Sequence, residues 1–318
     1  MEAITKTITK ESLLAAVSRI QRFAHRTPVL TCSAINQMAG AEIFFKCENF
    51  QKTGAFKMRG ALNAVENLSK AEKEKGVVTH SSGNFAQAVS LSAKLNEIPA
   101  YIVMPSSAPA VKRKGVIGYG GLLTICPPTL ADREKATQII INETGATFLH
   151  PSNNRDVILG QGTAAIELLE NHPDLNVIMT PVGGGGLVAG VGLAAHYFGE
   201  NCQVIAGEPF EVDDAYRSLI SGQIETNRTA NTIADGLRTN LGDINFPIIQ
   251  QYVERIIRVE EKEIIQSMRL IWERMKIVVE PSCAVPLAAL LREKEKFKNQ
   301  KVGIIITGGN VDFSNLPF

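Results

Sequence analysis

An α/β fold built on mainly parallel sheet is predicted by two features of this chain. Short apolar runs alternate with stretches of helical period from one end to the other. Several of these runs end in turns rich in Gly, Ser, Thr and Asn, and in parallel-sheet folds ligands gather beyond the carboxyl ends of strands.

The elements follow in order. Leu13, Val17, Ile20 and Phe23 recur at helical spacing, and Pro28 stops that helix. Residues 43–47 read as a strand. Residues 56–68 read as a helix with Met58, Leu62 and Val65 on one face. Residues 77–80 form a short strand that runs into Ser81-Ser82-Gly83-Asn84 and a helix over 85–95. Strands are predicted at 101–104, 122–126 and 147–149, with helical stretches between them. The strand at 177–182 leads into Gly183, Gly184, Gly185 and Gly186, then a helix over 187–197. Strands at 203–206 and 301–306 complete the series, the last ending in Thr307-Gly308-Gly309-Asn310. Leu270, Ile271 and Trp272 sit on an amphipathic helix and read as core or subunit contacts.

Composition narrows the function. The 318 residues hold 33 Lys plus Arg against 32 Asp plus Glu, a net charge of +1. Such a balance argues against nucleic acid or a polybasic membrane surface as partner. With 45% hydrophobic and 20% charged residues, the chain reads as an ordinary globular protein of one large or two modest domains. Cys32, Cys47, Cys126, Cys202 and Cys283 form no Cys-x-x-Cys pair, so a reducing, cytoplasmic setting is expected. The N-terminal residues lack a basic segment followed by an apolar run, so no signal peptide is expected. The most apolar stretch, 182–195, is glycine-rich and shorter than the ~20 residues a spanning helix needs, so no membrane span is expected.

The four glycines follow a strand and open a helix. Backbone N–H groups and the positive helix end make that loop a phosphate cradle. The same segment satisfies a permissive dinucleotide fingerprint, Gly184-x-Gly186-x-x-Ala189, with Glu208 ending the next strand; a nicotinamide-binding oxidoreductase is the rival. Lys57 lies in the first turn of a predicted helix, where a cation is disfavoured by the dipole. An amine held this way has a lowered pKa and forms Schiff bases with aldehydes. Ser81-Ser82-Gly83-Asn84 offers hydroxyls, an amide and helix-start N–H groups to a carboxylate or an aromatic oxyanion, although Ser and Asn at a helix start are also routine caps.

Taken together, these segments resemble a family. Residues 48–57 (Glu-Asn-Phe-Gln-Lys-Thr-Gly-Ala-Phe-Lys), Ser81 to Asn84, Gly160-Gln161-Gly162-Thr163, Gly183 to Gly186, Glu280-Pro281-Ser282 and Thr307 to Asn310 occur in the order seen in fold type II pyridoxal-phosphate enzymes. The likeness covers nearly the whole chain and is closest to the serine racemase and serine/threonine dehydratase group. It implies two open, twisted lobes with the cofactor between them, as in the tryptophan synthase β chain. The smaller lobe would be residues 51–149 and the larger 1–50 plus 150–318. The family also implies a homodimer.

The resemblance assigns roles residue by residue. Lys57 would hold pyridoxal phosphate as a Schiff base, next to Phe56. Gly183, Gly184, Gly185 and Gly186 would bind its phosphate, Asn84 would lie against the ring hydroxyl, and Thr307 would bond the ring nitrogen. Lys57 would move the Cα proton on one face, and Ser82 on the other, as in racemases. Ser81, Ser82, Gly83 and Asn84 would hold the substrate carboxylate. Arg133 is a candidate for a second substrate carboxylate, which would favour hydroxyaspartate, although a helix-surface arginine is the preferred reading. Glu208, the Val212 carbonyl and Asp214 resemble a divalent-cation loop suited to Mg²⁺, Mn²⁺ or Ca²⁺. The expected activity is dehydration and deamination of small β-hydroxy amino acids, with serine racemisation beside it; a non-catalytic pyridoxal-phosphate-binding protein is the distant alternative.

The chain departs from the group at Phe85, usually histidine, and at Thr307, more often serine. Thr31-Cys32-Ser33 matches only in part the segment tied to nucleotide activation in animal racemases, so nucleotide control is not expected. Nor is the isoleucine feedback of longer dehydratases, since only eight residues follow Asn310.

Overall fold

The apolar runs pair into two sheets. The structure, a computed structural model, describes residues 8–108 and 110–318. The strands are β1 Val29–Leu30, β2 Glu42–Cys47, β3 Val77–His80, β4 Ala100–Pro105, β5 Leu122–Cys126, β6 Thr147–Phe148, β7 Val177–Pro181, β8 Gln203–Pro209, β9 Arg255–Val259 and β10 Lys301–Ile306. The larger sheet has the order β1-β2-β10-β7-β8-β9, and the smaller β5-β4-β3-β6. Every pairing is parallel except β1 with β2. Helices cover both faces of the larger sheet, and residues such as Phe45, Met179 and Ile304 are buried in register between them.

Two strands lie outside those predicted. β1 is two residues long. β9 carries Arg255 and Arg258, which interrupt the apolar signal; it sits at the sheet edge, where both arginines are half-buried. The first helix, Lys10–Ile20, also ends before Phe23, because the Phe23 N–H turns back to the Ile20 carbonyl. The other predicted elements differ only at their ends.

Glycines set the distance between the helices that frame the site. Helix Lys57–Glu66 packs on helix Arg155–Asn171, which packs on helix Gly186–Phe198. A Cβ at Gly160 would stand 2.5 Å from the Arg59 carbonyl oxygen, and one at Gly162 would stand 2.6 Å from that of Gly190. The backbones therefore touch, and the lysine-bearing helix is indexed to the glycine run through one intermediate helix. Beside this contact Arg59, Glu48, Glu167 and Lys46 form a buried ion network. Arg59 donates to Glu48 at 2.7 and 2.8 Å and to Glu167 at 2.8 Å, and Lys46 donates to Glu167 at 2.6 Å.

All five cysteines are free thiols. No helix among the described residues is long and apolar enough to cross a membrane.

Candidate active site

Strand ends β3, β7 and β10 deliver the three singled-out turns to one region. Lys57 begins helix Lys57–Glu66, which no side chain caps. Its amine donates to the Pro151 carbonyl at 2.7 Å and lies 5.1 Å from the Phe56 ring centre and 5.7 Å from that of Phe85. The side chain keeps partial exposure but sits deep in the protein mass. Burial lowers its pKa to about 8, against the opposing pull of the Glu280 carboxylate. The antiparallel bridge of Ala55 with Gly308, and the Phe56 N–H bond to the Thr307 carbonyl at 2.9 Å, tie this segment to the end of β10.

The glycine run lies close by. Gly183, Gly184, Gly185 and Gly186 are buried, and none of their N–H groups appears in a hydrogen bond among the described residues. Gly185 has φ +82°, a left-handed conformation that suits glycine, and it caps helix Gly186–Phe198 without any side-chain bond. Asn245 holds the loop in place by donating to the Gly184 carbonyl at 2.8 Å and to the Ser152 carbonyl at 3.2 Å. Buried, unpaired N–H groups at a helix start make an anion cradle, and they fit the phosphate of pyridoxal phosphate. Pro151, Ser152 and Asn153 link this loop to the lysine. His150 takes the N–H groups of Ser152 and Asn153 on Nδ1 at 3.2 and 2.8 Å, and burial, with His80 and Lys57 nearby, lowers its pKa to about 4.

The turn after β3 completes the arrangement. Asn84 donates to Glu280 at 2.9 and 3.1 Å and accepts from Asn310 at 2.9 Å. Burial raises the Glu280 pKa to about 7, with the Asn84 bond acting against the rise. Helix Asn84–Leu95 starts at Gly83 with no side-chain cap, and a Cβ at Gly83 would meet no atom within 4 Å. Ser81 accepts from the Gly83 N–H at 3.4 Å, while the half-buried Ser82 hydroxyl has no partner among the described residues. The chain therefore gathers Lys57, Phe56, Ser81, Ser82, Gly83, Asn84, Gly183 to Gly186 and Thr307 around one centre. Arg133 stands apart on helix Leu130–Thr144, reaching back to its own Thr129 carbonyl at 3.4 Å, yet its charge is felt by His80, which precedes the turn.

Residues 20–308 match the family of pyridoxal-phosphate dependent enzymes. The chain belongs to that family. A serine racemase of Dictyostelium discoideum is 50% identical over 314 residues, covering 98% of this chain and 97% of the relative. A beta-hydroxyaspartate dehydratase of Paracoccus denitrificans is 46% identical over 310 residues, covering 98% of each. The solved structure of the Dictyostelium racemase superposes with a TM-score of 0.93, over 96% of this chain and 100% of that one. The chain is thus a pyridoxal-phosphate-dependent enzyme of fold type II, and the nicotinamide rival is set aside.

Glu208 and Asp214 form a second, separate pair. Glu208 is fully buried and accepts the N–H groups of Ala215 and Tyr216 at 3.0 and 2.8 Å, so it caps helix Asp214–Ser221. Asp214 accepts from the Leu241 N–H at 3.1 Å, and its other oxygen is buried without a partner. Burial raises both pKa values, that of Asp214 to about 7, and the nearby Asp214 charge raises Glu208 further. Asp213, by contrast, is neutralised by Arg217 at 2.7 Å and Arg258 at 2.8 Å. No cluster of three or more His, Cys, Asp or Glu side chains converges among the described residues; the pair offers two carboxylates, and the buried Val212 lies in the turn between them. An orphaned buried carboxylate oxygen beside a second carboxylate fits a hard divalent cation.

Residues outside the predicted set also contribute. Glu280, Asn310 and Cys283 stand beside Asn84 or Thr307, while Asn245 and the Pro151 carbonyl brace the loop and the lysine. Glu280 and Asn310 belong to quoted segments, but only the folded chain reveals what they hold.

Proposed function

We propose that this enzyme removes water and ammonia from small β-hydroxy amino acids such as L-serine and L-threonine, giving 2-oxo acids, and that it also racemises serine. The observation that supports this most is the Lys57 amine, lowered to about 8 and lying 5.7 Å from the ring centre of Phe85, in the first turn of the helix that follows Ser82. A base titrating near neutrality moves protons in both directions. When bound, pyridoxal phosphate supplies the electron sink that makes the substrate Cα–H acidic. The N–H groups of 183–186 would hold its phosphate, Asn84 would lie beside its ring hydroxyl, and the Thr307 hydroxyl would meet its ring nitrogen. The Ser81–Asn84 turn binds the substrate carboxylate. Lys57 takes the Cα proton and hands a proton to the β-hydroxyl, which leaves as water; the released enamine then takes up a water and loses ammonia to give the 2-oxo acid. Ser82, on the opposite face, returns a proton to Cα and inverts it.

Three further assignments complete the proposal. The lobes divide as 1–50 plus 150–318 and 51–149, supported by the confinement of β3 to β6 to the latter span. Glu208, the Val212 carbonyl and Asp214 hold Mg²⁺, Mn²⁺ or Ca²⁺, supported by the orphaned Asp214 oxygen. The enzyme is a cytoplasmic homodimer, an inference from the family and the free thiols.

Hydroxyaspartate is a second reading of the substrate, favoured by the relatedness to the Paracoccus dehydratase and by Arg133 near the His80 end of β3. The test is the yield of pyruvate and D-serine from L-serine by purified holoenzyme, with L-threonine and hydroxyaspartate in parallel. Pyruvate together with D-serine is expected. Turnover of hydroxyaspartate alone would replace the first reading by the second, and no oxo acid from any of them would end both.

A further inference from the structure

The Asn84 carboxamide is gripped at both ends. Asn310 Nδ2 donates to the Thr53 carbonyl at 2.7 Å and to Asn84 Oδ1 at 2.9 Å. Asn84 Nδ2 in turn donates to both carboxylate oxygens of the buried Glu280, at 2.9 and 3.1 Å. Two glycines make room for these partners. A Cβ at Gly54 would stand 2.7 Å from Asn310 Oδ1, and one at Gly308 would stand 2.9 Å from Glu280 Oε1.

The polarity of this chain of bonds is set at its first member. A backbone carbonyl accepts and never donates, so the end of Asn310 against Thr53 is the nitrogen. That nitrogen has two hydrogens. The second meets Asn84, whose facing atom must therefore be its oxygen, and the Asn84 nitrogen falls to the Glu280 carboxylate. Seen from one nitrogen, the two oxygens of a carboxylate lie in nearly the same direction, whereas the two hydrogens of an amide point widely apart. One Asn84 N–H is thus shared by both Glu280 oxygens, and the other has no partner among the described residues.

We propose that Asn310 and Glu280 are positioning residues that lock the Asn84 carboxamide with its free N–H towards the cofactor's ring oxygen, so that Asn84 acts there as a donor alone. This rests on the reading that Asn84 lies beside that oxygen. A donor stabilises negative charge on the ring oxygen, through a bond roughly twice as strong as one between neutral groups. An amide turned end for end would present its own oxygen and oppose that charge. An unrestrained asparagine offers either end; the Thr53 carbonyl, acting through Asn310, removes the choice.

The absorption spectrum of the holoenzyme tests this, because the deprotonated and protonated ring oxygens give separate bands, one in the visible and one in the near ultraviolet. Wild type is expected to show mainly the visible band. Asn84→Leu, which has no N–H to offer, should lower the ratio of visible to near-ultraviolet absorbance about tenfold, the effect of losing one hydrogen bond to a charged oxygen. Asn310→Ala changes no charge and should lower it roughly threefold, because the amide can then turn. Glu280→Gln keeps an acceptor for Asn84 and should stay near wild type, whereas Glu280→Met keeps none and should follow Asn310→Ala. If Asn310→Ala does not fold, the two Glu280 variants decide alone. Equal displacement by Glu280→Gln and Glu280→Met would mean that the lost charge near Lys57 acts, not the clamp. An Asn310→Ala ratio equal to wild type, with Asn84→Leu displaced, would overturn the clamp while leaving Asn84 in place. An Asn84→Leu ratio equal to wild type would remove the underlying reading of Asn84 instead.

Discussion

At Lys57 two effects oppose each other on one amine. Burial disfavours the ammonium and Glu280 favours it, and burial wins, leaving the group at about 8. Ser82 needs no such tuning to serve as an acid on the other face; it needs a free hydroxyl, and its hydroxyl has no protein partner among the described residues. This difference supports a divided outcome for Ser82→Ala. General acid–base contributions run to roughly 100-fold or more, so D-serine formation should fall by about that factor, while pyruvate formation, which needs only Lys57 to take the proton, persists. Chiral analysis of serine alongside a pyruvate assay checks it. Equal loss of both products would remove Ser82 from a face-specific role.

At the scale of elements, the site depends on how helix Lys57–Glu66 is seated. Arg59, two residues beyond the lysine, is fully buried with its partner Glu48; Arg59 also donates to Glu167, which takes Lys46 as well, and Glu48 accepts from the Thr27 hydroxyl. Removing one member leaves charges buried without a partner, which costs about 3–5 kcal/mol. Arg59→Met should therefore lower the unfolding free energy obtained from urea titration by that amount, and cofactor should be released at lower denaturant than in wild type; unchanged unfolding would mean that the network is not coupled to the seat of the helix. The sequence could not announce this network, because its members are far apart in the chain and each alone reads as a surface charge. The same limit hid Cys283, whose partner Thr307 lies across the fold, and β9, whose arginines look like loop residues until the sheet edge receives them. What could be read in advance were features written locally: the apolar runs of β3, β7 and β10, the turns after them, and the first-turn lysine.

At the scale of the whole molecule, the acidic pair connects stability to the cofactor loop. Asp214 holds the Leu241 N–H, the Gly242 N–H donates to Asn245 at 3.1 Å, and Asn245 donates to the Gly184 carbonyl. A cation at Glu208 and Asp214 would thus brace the segment that braces the glycine run. Without it the folded state raises both carboxyl pKa values, so it binds protons more tightly than the unfolded chain does. For such groups stability is greatest below the unfolded pKa, falls as pH rises towards the folded value of about 7 for Asp214, and is level above it. A bound divalent cation cancels this loss by favouring the charged forms. The melting temperature in Mg²⁺ or Ca²⁺ should then exceed that in chelator by several degrees at pH 8, roughly 5 °C at a cation concentration 100-fold above its Kd. The gap should shrink towards pH 5, where protons compete for the same oxygens. Asp214→Asn should abolish the gap at every pH and leave the chelator-treated protein more stable at pH 8 than wild type in chelator, because one buried charge is gone. A cation effect that survives Asp214→Asn would locate the ion elsewhere, and a gap that does not change with pH would mean that these carboxylates are not the groups it neutralises.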